Sequence, residues 1–210
     1  MVSPWTADRI HKLARVLKAR DADAMYFELV QHWADVVIGG TAPELPLTDR
    51  ATWPSLAGPV ERMMYFDQIS YLPDDILTKV DRASMAASLE AREPLLDYRL
   101  VELAWRLPLS MKVGQGKGKL VLRRILKRHL PESLIDRPKM GFAIPLESWL
   151  RGPLREWAEA LLDPAVLRAQ GFLDVGPVRA KWEELLAGRG DWKYHVWAVL
   201  MFQAWLAGEA

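Results

Sequence analysis

The chain has no cysteine in its 210 residues. That excludes disulfides, thiol nucleophiles and cysteine-ligated metal. Histidine is scarce too: the four residues His11, His32, His129 and His195 are too scattered to suggest a zinc site. Neither sign of charge dominates, because 28 Lys and Arg face 27 Asp and Glu. Any anion site must therefore be built from a few local residues, and no global field favours nucleic acid. No apolar run approaches the roughly 20 residues that span a bilayer. The opening stretch "MVSPWTADRIHKLARVLKARDAD" lacks a signal-peptide core. These absences predict a cytoplasmic chain in a reducing compartment, with neither membrane nor nucleic acid among its partners.

What is present is ordinary globular chemistry, with 50% hydrophobic and 26% charged residues. The apolar spacing is helical almost throughout. Ile10, Leu13, Ala14 and Leu17 follow a Thr6 cap, and Tyr26, Leu29, Val30 and Trp33 mark a second helix over 22–37, the two forming a hairpin. Gly, Pro, Thr and Asp then crowd residues 39–59, a surface connection. A helix is predicted from Pro59 to Tyr71, interrupted by Pro73, with Asp74 or Asp75 capping the next as far as Ala87. Asp97 caps a helix at 98–106, another starts near Lys117, and more follow around 153–162, 175–187 and 192–207. Trp149, Trp157, Trp182, Trp192, Trp197 and Trp205 recur at helical spacings and are expected in the core. No alternating run predicts a confident strand and no segment repeats, so the fold class is mainly α.

Four segments set charged residues beside turn formers or helix starts: "YLPDDILTKVDRASM" (71–85), "LEAREPLLD" (89–97), "GQGKGKLVLR" (114–123) and "DRPKMGFAIP" (136–145). Each has a structural reading beside a functional one. Asp75 and Lys79 are i, i+4 with the acid first, the favourable order for a plain helix pair. Glu90 and Arg92 precede Pro94, where side chains often satisfy loose backbone. "GQGKGK" suits a surface turn, but its glycines also let backbone amides approach phosphate near Lys119. It lacks P-loop spacing. Arg137 and Lys139 stand beside Pro, Gly and Phe, where neither a helix nor a strand is comfortable.

The stretches "YLPDDILTKVDRASMAASLEAREPLLDYRLVELAWRLP", "GKGKLVLRRIL" and "LPESLIDRPKMGFAIPLESWL" closely resemble the C-terminal half of the synthetase domain of glutamine-hydrolysing asparagine synthetases. The resemblance covers most of 60–206. Residues 1–58 resemble the more variable helical region before those motifs, which divides the chain at 58/59. It implies the helical C-terminal portion of an adenine-nucleotide α-hydrolase-like, ATP-pyrophosphatase synthetase domain. It also implies a two-step reaction. ATP, with Mg²⁺, adenylates the β-carboxylate of aspartate and releases pyrophosphate, and ammonia from glutamine then displaces AMP.

In that scheme Lys139, matching the family's R-x-K-x-G-F segment, neutralises charge on pyrophosphate. Lys119, in the G-K-x-x-L-R match, is second choice. Asp75, with Asp74 as fallback, matches an acid that orients a substrate ammonium or assists proton removal from the nucleophile. Asp81, Arg82, Glu90, Arg92, Asp97 and Arg137 match family positions expected to hold the walls of the site through ion pairs. The family's S-G-G-x-D-S nucleotide loop, its S-G-E-G-x-D-E segment and the N-terminal cysteine of its glutaminase half are not in this sequence. The expectation is a part of a synthetase, inactive alone and binding no cofactor tightly. It would work with the rest of the synthetase domain and a glutaminase domain. A relative acting on another carboxylate, of the β-lactam-forming or peptide-cyclising type, and a non-catalytic helical module that self-associates are the alternatives.

Overall fold

The computed structural model describes residues 16–33, 36–37, 45–136 and 144–208, and these are mainly helical. The helix predicted after Thr6 lies almost wholly outside the described residues. The chain divides into two compact units, Met1–Thr48 with Ala143–Ala210, and Asp49–Phe142. Helix α1 (Ala22–Val30) starts where Asp21 accepts the Ala24 amide proton at 2.8 Å, a side-chain cap. It stops seven residues short of the predicted end: the chain is extended at Gln31, and Val37 bridges Leu173 antiparallel. β-branched Val36 and Val37 favour extended backbone. The Trp33 indole N–H, donated to the His195 carbonyl at 2.8 Å, holds the segment in place.

The Asp49–Phe142 unit carries α2 (Pro59–Ile69), a π-helical turn (Leu72–Leu77), α3 (Thr78–Met85) and α4 (Tyr98–Arg106). After these come α5 (Leu109–Lys112), β1 (Val113–Gly114), β2 (Lys117–Gly118), α6 (Leu120–Leu126) and α7 (Glu132–Ile135). α2 ends at Ile69 with Ser70 out of helical geometry, the interruption expected at Pro73, but the chain resumes through a π turn and not from a capped helix start. The missing N–H of Pro73 is absorbed by the wider π turn, with the Asp74 amide donating to the Ser70 carbonyl at 2.9 Å and the Thr78 hydroxyl to the Pro73 carbonyl at 2.9 Å. With no free helix start to cap, neither Asp74 nor Asp75 acts as a cap. β1 and β2 form a two-residue antiparallel hairpin that the sequence reading missed. Its turn residues Gln115 and Gly116 both have positive φ, 50° and 71°, the backbone that tight hairpins require. Among the described residues of this unit Phe66 alone is buried, set edge-on to Trp53.

In the other unit follow α8 (Leu146–Arg151), α9 (Arg155–Leu161), α10 (Pro164–Gln170), α11 (Val175–Leu186) and α12 (Lys193–Leu206). Here there is a true core: Leu150, Leu162, Leu167, Trp182, Leu185 and Leu200 are almost completely enclosed. Asp163 accepts the Ala165 amide at 2.7 Å to start α10, and Asp174 accepts the Gly176 amide at 2.9 Å to start α11. The tryptophan expectation divides. Trp182 is buried and Trp157, Trp192 and Trp197 pack against the core, but Trp149 and Trp205 are exposed. Helical spacing puts a residue on a face without saying whether anything covers that face. Gln203 is also buried, with neither amide atom hydrogen-bonded among the described residues.

Candidate functional site

Arg137 and Lys139 lie outside the described residues. The remaining sequence candidates all stand in the Asp49–Phe142 unit. Asp74 and Asp75 ride on the exposed side of the π turn, where a helix widened by one residue shifts the direction of its side chains. Asp75 pairs with Lys79 at 3.3 Å, and both side chains are more than half exposed. Such a pair contributes at most about 0.5 kcal/mol. Asp81 and Arg82 on α3 are exposed and make no ion pair among the described residues. Glu90 and Arg92 grip each other through two bonds of 3.0 and 3.2 Å.

Asp97 both caps α4 and pairs with the next residue but one. It accepts the Arg99 amide at 2.9 Å and the Arg99 guanidinium at 2.9 and 2.6 Å. The guanidinium first, and then the backbone amide, hold the Asp97 carboxyl below the usual aspartate range. A depressed acid favours the folded state above the ordinary aspartate pKa and loses that contribution as pH falls through its folded value. Helicity of the wild-type chain should therefore drop on acidification below the ordinary aspartate pKa. Part of that drop should vanish in Asp97→Asn, measured by circular dichroism; identical acid limbs would show the cap to be inconsequential.

The turn from β2 into α6 joins two of the charged segments. Asp136 accepts the Lys117 ammonium at 2.8 Å and also the Arg123 guanidinium. Arg123 reaches back through Nε to the Gly118 carbonyl at 3.0 Å, while its amide donates to the Lys119 carbonyl at 2.9 Å. Hydrogen bonding from Lys117 is the main cause holding the Asp136 carboxyl below its ordinary value; burial opposes it, and Arg123 adds to the lowering. Lys119 sits between these grips with left-handed backbone, φ 59° and ψ 38°. Its side chain is exposed and makes no hydrogen bond or ion pair among the described residues. Sequence reasoning singled out both segments but missed the Lys117–Arg123–Asp136 knot. Residues 19 and 13 positions apart carry no local signal of meeting.

No hydrogen bond or ion pair joins Asp75 to Lys119 among the described residues. A groove of 380 Å³ in this unit is lined mainly by apolar side chains, among them Met64, Tyr71, Leu72, Ile76 and Trp105. None of the charged candidates lines it. No cluster of three or more Asp, Glu or His among the described residues is placed to hold a metal. The unclaimed Lys119 ammonium does fit a phosphate oxygen.

The family model for asparagine synthase matches residues 1–207. The chain belongs to the asparagine synthase family. It is 36% identical over 176 residues to a Mycobacterium tuberculosis protein provisionally named as a glutamine-hydrolyzing asparagine synthetase, a match covering 81% of this chain and 27% of that one. It is 30% identical over 146 residues to glutamine-hydrolyzing asparagine synthetase 1 of Bacillus subtilis, covering 70% of this chain and 23% of the relative. The human glutamine-hydrolyzing asparagine synthetase is 31% identical over 139 residues, 59% of this chain and 24% of that protein. The chain thus spans between 23% and 27% of the length of these relatives. No solved structure matches it. No helix among the described residues is long and apolar enough to cross a membrane.

Proposed function

We propose that this chain is the helical part of a synthetase domain that makes asparagine from aspartate, ATP and glutamine-derived ammonia. Residues 1–58 would be its variable helical region and 59–206 the part that carries the site. The observation that carries this reading is the asparagine synthase match, which spans Asp75, Lys119 and Lys139 together. ATP supplies the adenylyl group: a β-carboxylate oxygen bonds to the α-phosphorus and pyrophosphate leaves. Ammonia then bonds to the acyl carbon, gives up a proton, and AMP leaves.

The chain's own residues serve the charges in those steps. Lys139 and Lys119 neutralise the departing pyrophosphate, Lys119 from a turn where no carboxylate among the described residues pairs with it. Asp75, or Asp74 beside it, orients the aspartate ammonium or takes the proton of the incoming amine. Asp75 is exposed, and its weak pair with Lys79 exchanges readily for a substrate ammonium. Glu90, Arg92 and Asp97 brace the walls through their pairs, with Asp81 and Arg82 available to ligands or to the rest of the domain.

The burial of the Asp49–Phe142 unit supports a partner. Leu89, Leu95 and Leu103 are each more than half exposed, and Ile125 and Leu126 stand open on α6. So much uncovered apolar surface favours packing against further protein, which we assign to the rest of the synthetase domain, next to a glutaminase domain. A second copy of the chain is the competing occupant.

The test is a product assay on the native-length gene product. With ATP, aspartate and glutamine it should release AMP and pyrophosphate in equal amounts and form asparagine, while the 210 residues alone release none. AMP release that requires a different carboxylate would move the substrate to another member of the family. Absence of AMP release with every carboxylate would leave the non-catalytic helical module, and self-association of the 210 residues measured by sedimentation would then favour the second copy.

A further inference from the structure

We propose that Asp136 and Arg123 are positioning residues that hold the backbone of Lys119 left-handed, so that this lysine, and not its neighbour Lys117, meets the phosphate-bearing anion. The inference rests on the synthetase reading above and adds to it which cation of the turn is the working one and what sets it there.

Three cations crowd the turn, Lys117, Lys119 and Arg123, against the single carboxylate of Asp136. Asp136 takes up two of them. Its contact with Lys117 is 2.8 Å, and its contact with the Arg123 guanidinium fixes that group so that Nε points at the Gly118 carbonyl at 3.0 Å. Arg123 therefore holds the carbonyl on one side of Lys119 with its side chain and the Lys119 carbonyl itself with its amide at 2.9 Å. The two peptides that flank the Lys119 Cα are each held through their carbonyl.

That clamp has a visible cost. A non-glycine residue at φ 59° is held against the clash of its Cβ with the backbone. A left-handed lysine is disfavoured and persists where surrounding contacts over-determine it. The adjacent Gly118 would take such backbone freely, yet the chain places the lysine there. The outcome is one ammonium without a carboxylate partner among the described residues, on a backbone fixed by a network that already pairs Lys117 and Arg123. Asp136 keeps Lys117 and Arg123 from competing for the anion.

Inorganic pyrophosphate titrated into the native-length protein tests the proposal, with calorimetry reading affinity and thermal unfolding reading the turn. Lys119→Gly should weaken binding about tenfold or more. The same substitution should raise the unfolding midpoint, because glycine takes positive φ without the Cβ clash. Lys117→Ala should leave affinity within about twofold. Asp136→Asn, which keeps an acceptor but loses the charge, should weaken binding about tenfold, and Asp136→Glu should restore most of it.

The opposite result is equally definite. If Asp136 merely competed as an anion, Asp136→Asn would free Lys117 and Arg123 and tighten pyrophosphate binding. Tighter or unchanged binding in Asp136→Asn, or a loss in Lys117→Ala as large as in Lys119→Gly, overturns the positioning role while leaving the synthetase reading intact. Should Asp136→Asn fail to fold, Arg123→Lys tests the positioning role in its place: it keeps the charge but loses the Nε bond to the Gly118 carbonyl, should weaken binding about tenfold, and overturns the role if binding is unchanged. Wild-type protein that binds no pyrophosphate overturns the synthetase reading and this inference with it.

Discussion

Trp182→Ala should destabilise the unit built on α8–α12 by about 3–5 kcal/mol, the range for truncating a fully buried large aromatic. Trp182 has no exposed surface and sits within the cluster of Leu150, Leu162, Leu167, Leu185 and Leu200. It contributes more than volume. Its indole N–H donates to Glu159, whose carboxylate also pairs with Arg179 at 2.9 Å. Burial pushes the Glu159 carboxyl up, but the bonds from Trp182 and Arg179 outweigh it and hold the group below its ordinary value. Alanine would leave a cavity and remove one of those donors together.

Trp182→Phe separates the two effects. It keeps most of the ring volume and loses only the N–H, so its cost should be about 1–2 kcal/mol. Denaturant titrations followed by far-ultraviolet ellipticity would measure both. Fluorescence would be harder to read with ten tryptophans in the chain. Since whole domains are stable by about 5–15 kcal/mol, a 3–5 kcal/mol loss should leave a substantial unfolded fraction near 37 °C. A Trp182→Ala variant within about 1 kcal/mol of wild type would mean that the cluster repacks without it.

Lys139→Ala should lower the rate of AMP formation by the native-length protein about 10²–10³-fold at saturating ATP, the usual cost of removing one group that stabilises transition-state charge. Pyrophosphate leaves as a polyanion, and negative charge grows on it as the bond to the α-phosphorus breaks. An ammonium contributes little before that charge exists and most once it does, so the loss should fall on kcat more than on the KM for aspartate. Lys139→Arg should recover part of the rate because charge is kept while reach and geometry change. A kcat within about threefold of wild type in Lys139→Ala would remove Lys139 from the chemistry and leave Lys119 as the principal cation.

Helix positions were legible wherever a local signal marked both ends. Asp97 before "YRLVELAWR" and Asp174 before α11 act as caps, and the predicted spans at 98–106 and 175–187 agree with α4 and α11. The misses share a physical cause. Pro73 reads as a breaker because a standard turn cannot spare its N–H, and the chain answers with a π turn that no propensity anticipates. Val36 and Val37 read as a continuation of α1 until Leu173, far along the chain, supplies a bridging partner. Trp149 and Trp205 share the helical spacing of Trp182 but not its cover.

The site divides along the same line. Sequence by itself determined the family, the mainly helical class and the residues worth testing, because these are properties of ordered motifs and local periodicity. The tertiary structure decided which cations are already spent. Charge balance depends on distances between residues remote in sequence, and only folding shows that Asp136 claims Lys117 and Arg123 and leaves Lys119 in a left-handed turn with no carboxylate partner among the described residues.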